Sequence, residues 1–193
     1  MMRPILGDDL MLSSWAANIT YPGAPAQEAH VDYPYWDLHK TENWPRTLSA
    51  SFYLAVEVIL MLDEFTVENG ATAFVPGSQT RCTWPDEEEF AQNSQRAIGS
   101  AGTVMIFPAL LWHAAQANQS QGSRAALLAS YTNKNIKPIE DWSRCISRET
   151  MEACSEAMQN LLGHGYAYPA VMDELPARSS EGTRSQKNIT EEV

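Results

Sequence analysis

Residues 50–62 alternate without interruption, with Ala50, Phe52, Leu54, Val56, Val58, Leu60 and Leu62 on every second position. A side-chain period of two belongs to an extended strand, whose successive side chains point to opposite faces. The pattern predicts a strand with these residues on one face. Residues 10–21 repeat the theme, with Met11, Trp15, Ala17, Ile19 and Tyr21 on one face and Pro22, Gly23 and Pro25 ending the run. Short strands are also expected at 71–75, stopped by Pro76 and Gly77, and at 102–107 and 124–131. Residues 27–34 read as a short extended piece and 35–45 as irregular. The segment 63–70 holds a turn at Asn69-Gly70, because Gly tolerates positive φ. Between the last two strands, 108–123 is a loop or hairpin rich in Asn, Gln, Ser and Gly.

Helical signals are few. Residues 86–95 suggest one or two surface turns. A single helix is predicted over 147–162: Ser147 caps it, Glu149 and Glu152 favour its positive end, and Met151, Cys154, Met158 and Leu161 form its apolar stripe. Gly163 would close it. Many short strands with one late helix predict an all-β core, for which a jelly roll (double-stranded β-helix) is the natural candidate. The expected domain covers 1–175. Residues 176–193 are polar and nearly free of large apolar side chains, so they read as a disordered tail.

Charge and cysteine usage narrow the function. The net charge of −11 makes nucleic-acid binding and docking on anionic membranes unfavourable. Neither a membrane span nor a signal peptide is visible, since the apolar runs are broken by Glu57 and Pro108 and the N-terminus has no apolar stretch. The three cysteines Cys82, Cys145 and Cys154 make neither a disulfide framework nor a zinc ribbon. The expectation is a cytoplasmic monomer or homodimer acting on a small molecule. The sequons at Asn18, Asn118 and Asn188 read as chance.

Chemistry enters with the histidines. His30 begins the tripeptide His30-Val31-Asp32, and in a strand positions i and i+2 share a face. An imidazole and a carboxylate there can hold one metal ion together. His113, just past the strand 102–107, can complete a set of two His and one carboxylate, which leaves open positions on an octahedral metal. Arg124 opens the last strand among the apolar Ala125, Ala126, Leu127 and Leu128. A guanidinium entering a β core needs an anionic partner, and its planar fork suits a carboxylate.

These residues sit within longer matching blocks: Gln27-Glu-Ala-His30-Val-Asp32 with Tyr33-Pro34-Tyr35; Leu62 to Thr72, containing Glu68-Asn69-Gly70, running into Val75-Pro-Gly-Ser78; Gly102 to Phe107; Leu111-Trp-His113; Asn118-Gln-Ser120; and Arg124 to Leu128. Over about 6–165 the chain resembles the phytanoyl-CoA dioxygenase family of Fe(II)/2-oxoglutarate-dependent oxygenases. The resemblance implies a double-stranded β-helix with iron ligands His30, Asp32 and His113, and Arg124 as the anchor of 2-oxoglutarate. O2 would be the co-oxidant, with succinate and CO2 as coproducts. Gln27 is a candidate contact for the cosubstrate or for a metal ligand. Asp32 favours hydroxylation or another oxidation over halogenation, which in this family goes with loss of the carboxylate. Tyr33, Tyr35, Trp36 and Trp44 would lie over the site, with Lys40 and Arg46 near its mouth. His39 and His164 fit no ligand pattern. Two departures stand out. Family members carry a longer N-terminal region before the first block, so a minimal member or a piece of a longer protein is expected. Gln79 stands where the family usually has His. The competing readings are a catalytically silent metal-binding β-barrel, acting as scaffold or binding module, and a metal-dependent isomerase of the cupin type, which would not require Arg124.

Overall fold

The alternation at 50–62 becomes strand β2, Ala55–Met61, in a computed structural model that describes residues 2–32, 53–81 and 83–164. Positions 50–52 therefore lie outside the described residues, as do the aromatics of 33–44, His39, Lys40, Arg46, Cys82, Asn188 and the polar tail at 176–193. The chain divides into two compact units, Met1–Asp141 and Trp142–Val193.

In the first unit a short helix, α1 (Arg3–Leu6), precedes strand β1 (Leu10–Thr20). After β2 come β3 (Ala73–Phe74), a 3-10 turn (Ser78–Thr80), helix α2 (Glu87–Asn93), β4 (Gln95–Arg96), β5 (Val104–Pro108), β6 (His113–Ala114) and β7 (Arg124–Asn133). Four strands form one antiparallel sheet in the order β1-β7-β2-β5, and three short ones form a second in the order β4-β3-β6. The described chain is thus sheet-dominated with few helices, as expected. Helix α2 starts where Asp86 accepts a hydrogen bond from the Glu89 N–H, which satisfies a donor the first turn leaves free.

The core lies between the sheets. Ile59, Met61, Phe107 and Ala126 of the larger sheet pack with Phe65, Ala71 and Leu111. A second cluster, Val31, Ala73, Val75, Phe90, Trp112 and Ala114, sits behind the smaller sheet.

The structure shows which face of two strands meets the cavity. On β2, Glu57, Ile59 and Met61 share the face of the cavity and the main core, while Val58 also borders the cavity and Val56 is buried. On β1, Ser14, Ala16 and Asn18 face inward, while Trp15 and Ile19 are exposed at 48% and 49%. Both faces of β2 are apolar apart from Glu57, so alternation identifies the strand without identifying the inner side. Cross-strand register decides it: β2 pairs Ile59 with Leu128 and Met61 with Ala126, which places all four on one face.

The second unit also departs from expectation. A short helix α3 (Trp142–Cys145) comes first, and instead of one helix over 147–162 there are two, α4 (Arg148–Ala153) and α5 (Glu156–Leu161). Ser147 caps α4 as expected, but Cys154 is extended and Ser155 starts a new helix by accepting from the Met158 N–H. A serine satisfies helix-start donors better than it propagates a helix. Gln159 Nε2 donates to the carbonyl of Cys154 and to that of Met151, which also accepts from the Cys154 N–H, so the side chain bridges the break.

Candidate metal centre

His30 and His113 face each other as an antiparallel bridge, each backbone N–H donating to the other's carbonyl at 3.0 Å. The Asp32 N–H donates to Ala109 O at 2.9 Å, fixing the next in-facing residue. Alternation does the rest: Val31 turns into the cluster behind the smaller sheet, while His30 and Asp32 line the cavity. His113 is positioned in the same way. Its neighbour Trp112 is buried in the Val31 cluster, with its backbone N–H on Ser78 Oγ and its indole N–H on Thr83 O. The segment expected to be only a loop or hairpin thus contains β6, a two-residue strand that carries His113.

Three possible ligand atoms, one from each of His30, Asp32 and His113, lie within 4.8 Å of one another. Asp32 Oδ2 is 3.2 Å from His113 Nε2, and Asp32 Oδ1 is 3.8 Å from His30 Nε2. The Nδ1 atoms contact backbone carbonyls, Glu28 O at 2.8 Å for His30 and Leu111 O at 2.9 Å for His113. A carbonyl only accepts, so each ring carries a proton on Nδ1 and offers Nε2 toward Asp32. Metal-binding histidines are commonly oriented by such a bond. Burial alone would raise the Asp32 pKa, but the charges of His113 and His30 and the His113 hydrogen bond hold it below the usual carboxylate value. Burial alone would lower His113, but Asp32 outweighs it and raises the imidazole pKa. His30 is lowered, first by burial and then by His113. Two imidazole nitrogens and one carboxylate converging on one point fit a divalent transition metal with open coordination positions.

The same cavity, about 370 Å³, is bounded at another point by Arg124. This residue is 2% exposed; its Nη2 donates to Thr20 Oγ1 at 2.7 Å and its guanidinium lies 4.0 Å from the centre of the Phe65 ring. Its Nε is buried without a partner, and among the described residues Arg124 makes no ion pair. Burial lowers its pKa. A buried cation facing a cavity with no anion beside it is suited to receive an anionic ligand. Gln27 also lines the cavity, and its Oε1 accepts from the Ala115 N–H at 3.0 Å, tying the chain before His30 to the strand end after His113. His164 is exposed, and Gln79 is half-buried away from the cavity lining.

Sequence reasoning missed Thr20, Ser14, Glu57 and Ser130. The signal for Thr20, Ser14 and Ser130 was present in β1 and β7 as small and polar alternate positions, and for Glu57 as the one charge in the apolar run of β2, but register was needed to join them.

A family profile described as phytanoyl-CoA dioxygenase matches residues 1–126. A dioxygenase of Aspergillus fumigatus, af480, is 31% identical over 183 residues, covering 91% of this chain and 54% of the relative. Dioxygenase andF of Emericella variicolor is 32% identical over 148 residues, covering 74% of this chain and 47% of the relative. The chain therefore spans about half the length of these curated relatives. Among solved structures, EctD from S. alaskensis with bound Fe superposes with a TM-score of 0.54 at 24% identity, over 71% of this chain and 50% of that one, a likeness of fold.

Proposed function

The chain belongs to the phytanoyl-CoA dioxygenase family, and from that premise we propose that it is an Fe(II)- and 2-oxoglutarate-dependent dioxygenase built on a double-stranded β-helix (jelly roll). Its reaction would be hydroxylation, or another oxidation, of a C–H bond in a small molecule, with 2-oxoglutarate converted to succinate and CO2. One observation carries the reading: the His30–Asp32–His113 cluster opens on the same cavity as Arg124, a buried cation without an ion-pair partner among the described residues. A metal-binding scaffold has no use for that second feature, and a cupin-type isomerase does not require it.

When bound, Fe(II) with 2-oxoglutarate supplies the oxidising chemistry from O2. His30 Nε2, His113 Nε2 and an Asp32 oxygen would hold the iron on one side. Glu28 O and Leu111 O keep both rings oriented for that task. The Arg124 guanidinium, steadied by Thr20 and the Phe65 ring, would take the far carboxylate of 2-oxoglutarate. Gln27 would border the cosubstrate from the His30 side. Ile59, Phe65, Phe107, Ala126 and Leu128 give the cavity apolar walls between the metal ligands and Arg124.

The test is succinate release from 2-oxoglutarate under air. Succinate should form with added Fe(II), stop with a chelator, and be absent in Asp32→Ala. Succinate that is absent from the wild-type protein, or that persists in Asp32→Ala, would overturn the proposal.

A further inference from the structure

Strand β1 carries one residue more than its pairing with β7 requires. Leu12 pairs with Tyr131 and Ser14 with Ser130, so Ser13 stands between them as a β-bulge. A bulged residue drops out of the ladder, and its polar groups must find partners elsewhere. Ser13 is fully buried, and two of its oxygens are taken up by the chain beyond β7. The Ile139 N–H donates to Ser13 Oγ at 3.1 Å, and the Glu140 N–H donates to Ser13 O at 2.8 Å. The path from β7 to this point is short and braced. The Ile136 N–H donates to Asn133 O at 2.9 Å and the Asn135 N–H to Asn133 Oδ1 at 3.1 Å, which turns the chain at the strand end. Pro138, whose ring fixes its own φ, then leads into Ile139.

This anchorage puts Ile139 on the cavity wall with Ser14. Among the described residues, Ile139 is the one lining residue that follows β7. It is 52% exposed, so much of its apolar surface is open to a ligand. A β-branched side chain has little freedom at χ1, which makes it a fixed wall. The place of that wall gives it meaning. Ser14, Ser130, Glu57 and Phe107 pair in one row across β1, β7, β2 and β5, and the Phe107 ring meets the His113 ring at 4.9 Å, edge to face. Ile139 therefore borders a row that reaches the metal centre. Arg124 lies at the other end of the inward positions of β7, which run Arg124, Ala126, Leu128 and Ser130.

We propose that Ile139, held by the Ser13 bulge, is a specificity-determining residue of this cavity: it packs against the apolar part of a substrate whose reacting C–H lies at the metal centre, and it limits how far that part can extend. Ser13 is the positioning residue that acts through Ile139. The inference rests on the oxygenase reading of the same cavity.

A homologous series of apolar probes reads the limit: 1-butanol, 1-hexanol, 1-octanol and 1-decanol, titrated calorimetrically into the full chain loaded with Mn(II) and 2-oxoglutarate. In the wild-type protein affinity should rise about fourfold per added methylene and stop rising within the series. In Ile139→Ala the first alcohol beyond that limit should bind about tenfold more tightly than in wild type, and in Ile139→Trp the limit should fall at a shorter alcohol. Ser13→Ala, which leaves the Ile139 N–H without its acceptor, should move the limit in the same direction as Ile139→Ala. Ile139 is half exposed, so its replacement leaves the core intact even if Ser13→Ala fails to fold. Retention of 2-oxoglutarate is measured in the same samples. If 2-oxoglutarate is held but no alcohol binds, or no limit is met, or the limit is the same in wild type and both Ile139 variants, the assignment of Ile139 is wrong while the oxygenase reading stands. If the limit moves in the Ile139 variants but not in a folded Ser13→Ala, the positioning role of Ser13 is overturned. If the wild-type protein holds no 2-oxoglutarate, the oxygenase reading itself fails, and this inference with it.

Discussion

His113 links the pH behaviour of the centre to Asp32. Without metal, the carboxylate 3.2 Å away holds a proton on the ring above the ordinary imidazole pKa of 6.5. Because that pKa is raised on folding, the stability it brings is present below the unfolded value and is lost as pH rises through the folded value. Asp32 behaves in the opposite sense: its pKa is lowered, so its contribution is present above the ordinary carboxylate value and is lost as pH falls through the folded one. A metal ion must displace the His113 proton. Affinity for Mn(II) should therefore rise about tenfold per pH unit up to the raised His113 pKa and then level off. Calorimetry across a pH series reads this directly, and a flat profile from pH 5 to 8 would contradict it. His30, with its lowered pKa, competes little over that range.

Arg124 yields a second prediction at the same scale. Arg124→Ala should weaken 2-oxoglutarate binding on the order of 100-fold, and Arg124→Lys should recover only part of it, because an ammonium keeps the charge but not the two-pronged geometry. Equilibrium dialysis with 2-oxoglutarate would show it; unchanged retention in Arg124→Ala would remove the anchor from the account. At residue scale the sequence was informative where chemistry is local. His30 and Asp32 stand two positions apart on one strand face, and a guanidinium entering an apolar run needs an anion. Glu57 and Ser130 were not legible, since they lie far apart in sequence and meet only through the register of β2 and β7.

Among elements, the segment between β6 and β7 shows how backbone demands position the site. Asn118 is 1% exposed, and its Nδ2 donates to Thr20 O and Gly122 O while its Oδ1 accepts from the N–H and hydroxyl of Ser120. It thus fastens the approach to Arg124 onto the end of β1, where Thr20 meets the guanidinium. Removing it strands several buried groups, and Asn118→Ala should cost about 2–4 kcal/mol. Gly70 answers to a different constraint. Its φ is +80°, and a Cβ there would sit 2.3 Å from Gln116 O. Gly70→Ala should destabilise by about 2–3 kcal/mol and lower Tm by roughly 5–10 °C. Thermal scans of the two variants check both, and melting within about 1 °C of wild type would contradict the assignment. The Asn69-Gly70 turn was readable because positive φ has a residue preference. The inward faces of β1 and β2 were not, because a strand that is apolar on both sides alternates without revealing which side meets the cavity. The break at Ser155 was hidden for a related reason: an apolar stripe continues in phase across it, and only the capping hydrogen bond marks the new start.

For the whole molecule, the order of the matching blocks along the chain was legible, and with it the family. The way two sheets enclose a cavity was not, because it depends on pairings such as Thr20 with Arg124 across most of the first unit. No helix among the described residues is long and apolar enough to cross a membrane. If the cavity holds metal and cosubstrate together, ligand binding should stabilise the fold as a unit. Mn(II) with 2-oxoglutarate, each at about 100 times its Kd, should raise Tm by more than either alone, since each ligand at that excess is worth about 2.7 kcal/mol.

On the proposed function, His30, Asp32 and His113 hold iron in the same cavity in which Arg124 holds 2-oxoglutarate. Anaerobic addition of Fe(II) and 2-oxoglutarate to the purified protein, followed by visible absorption, tests it most directly. A weak visible charge-transfer band should appear that needs both additions, is absent in His113→Ala, and in Arg124→Ala appears only at much higher 2-oxoglutarate. No band in the wild-type protein, or an undiminished band in His113→Ala, would contradict it.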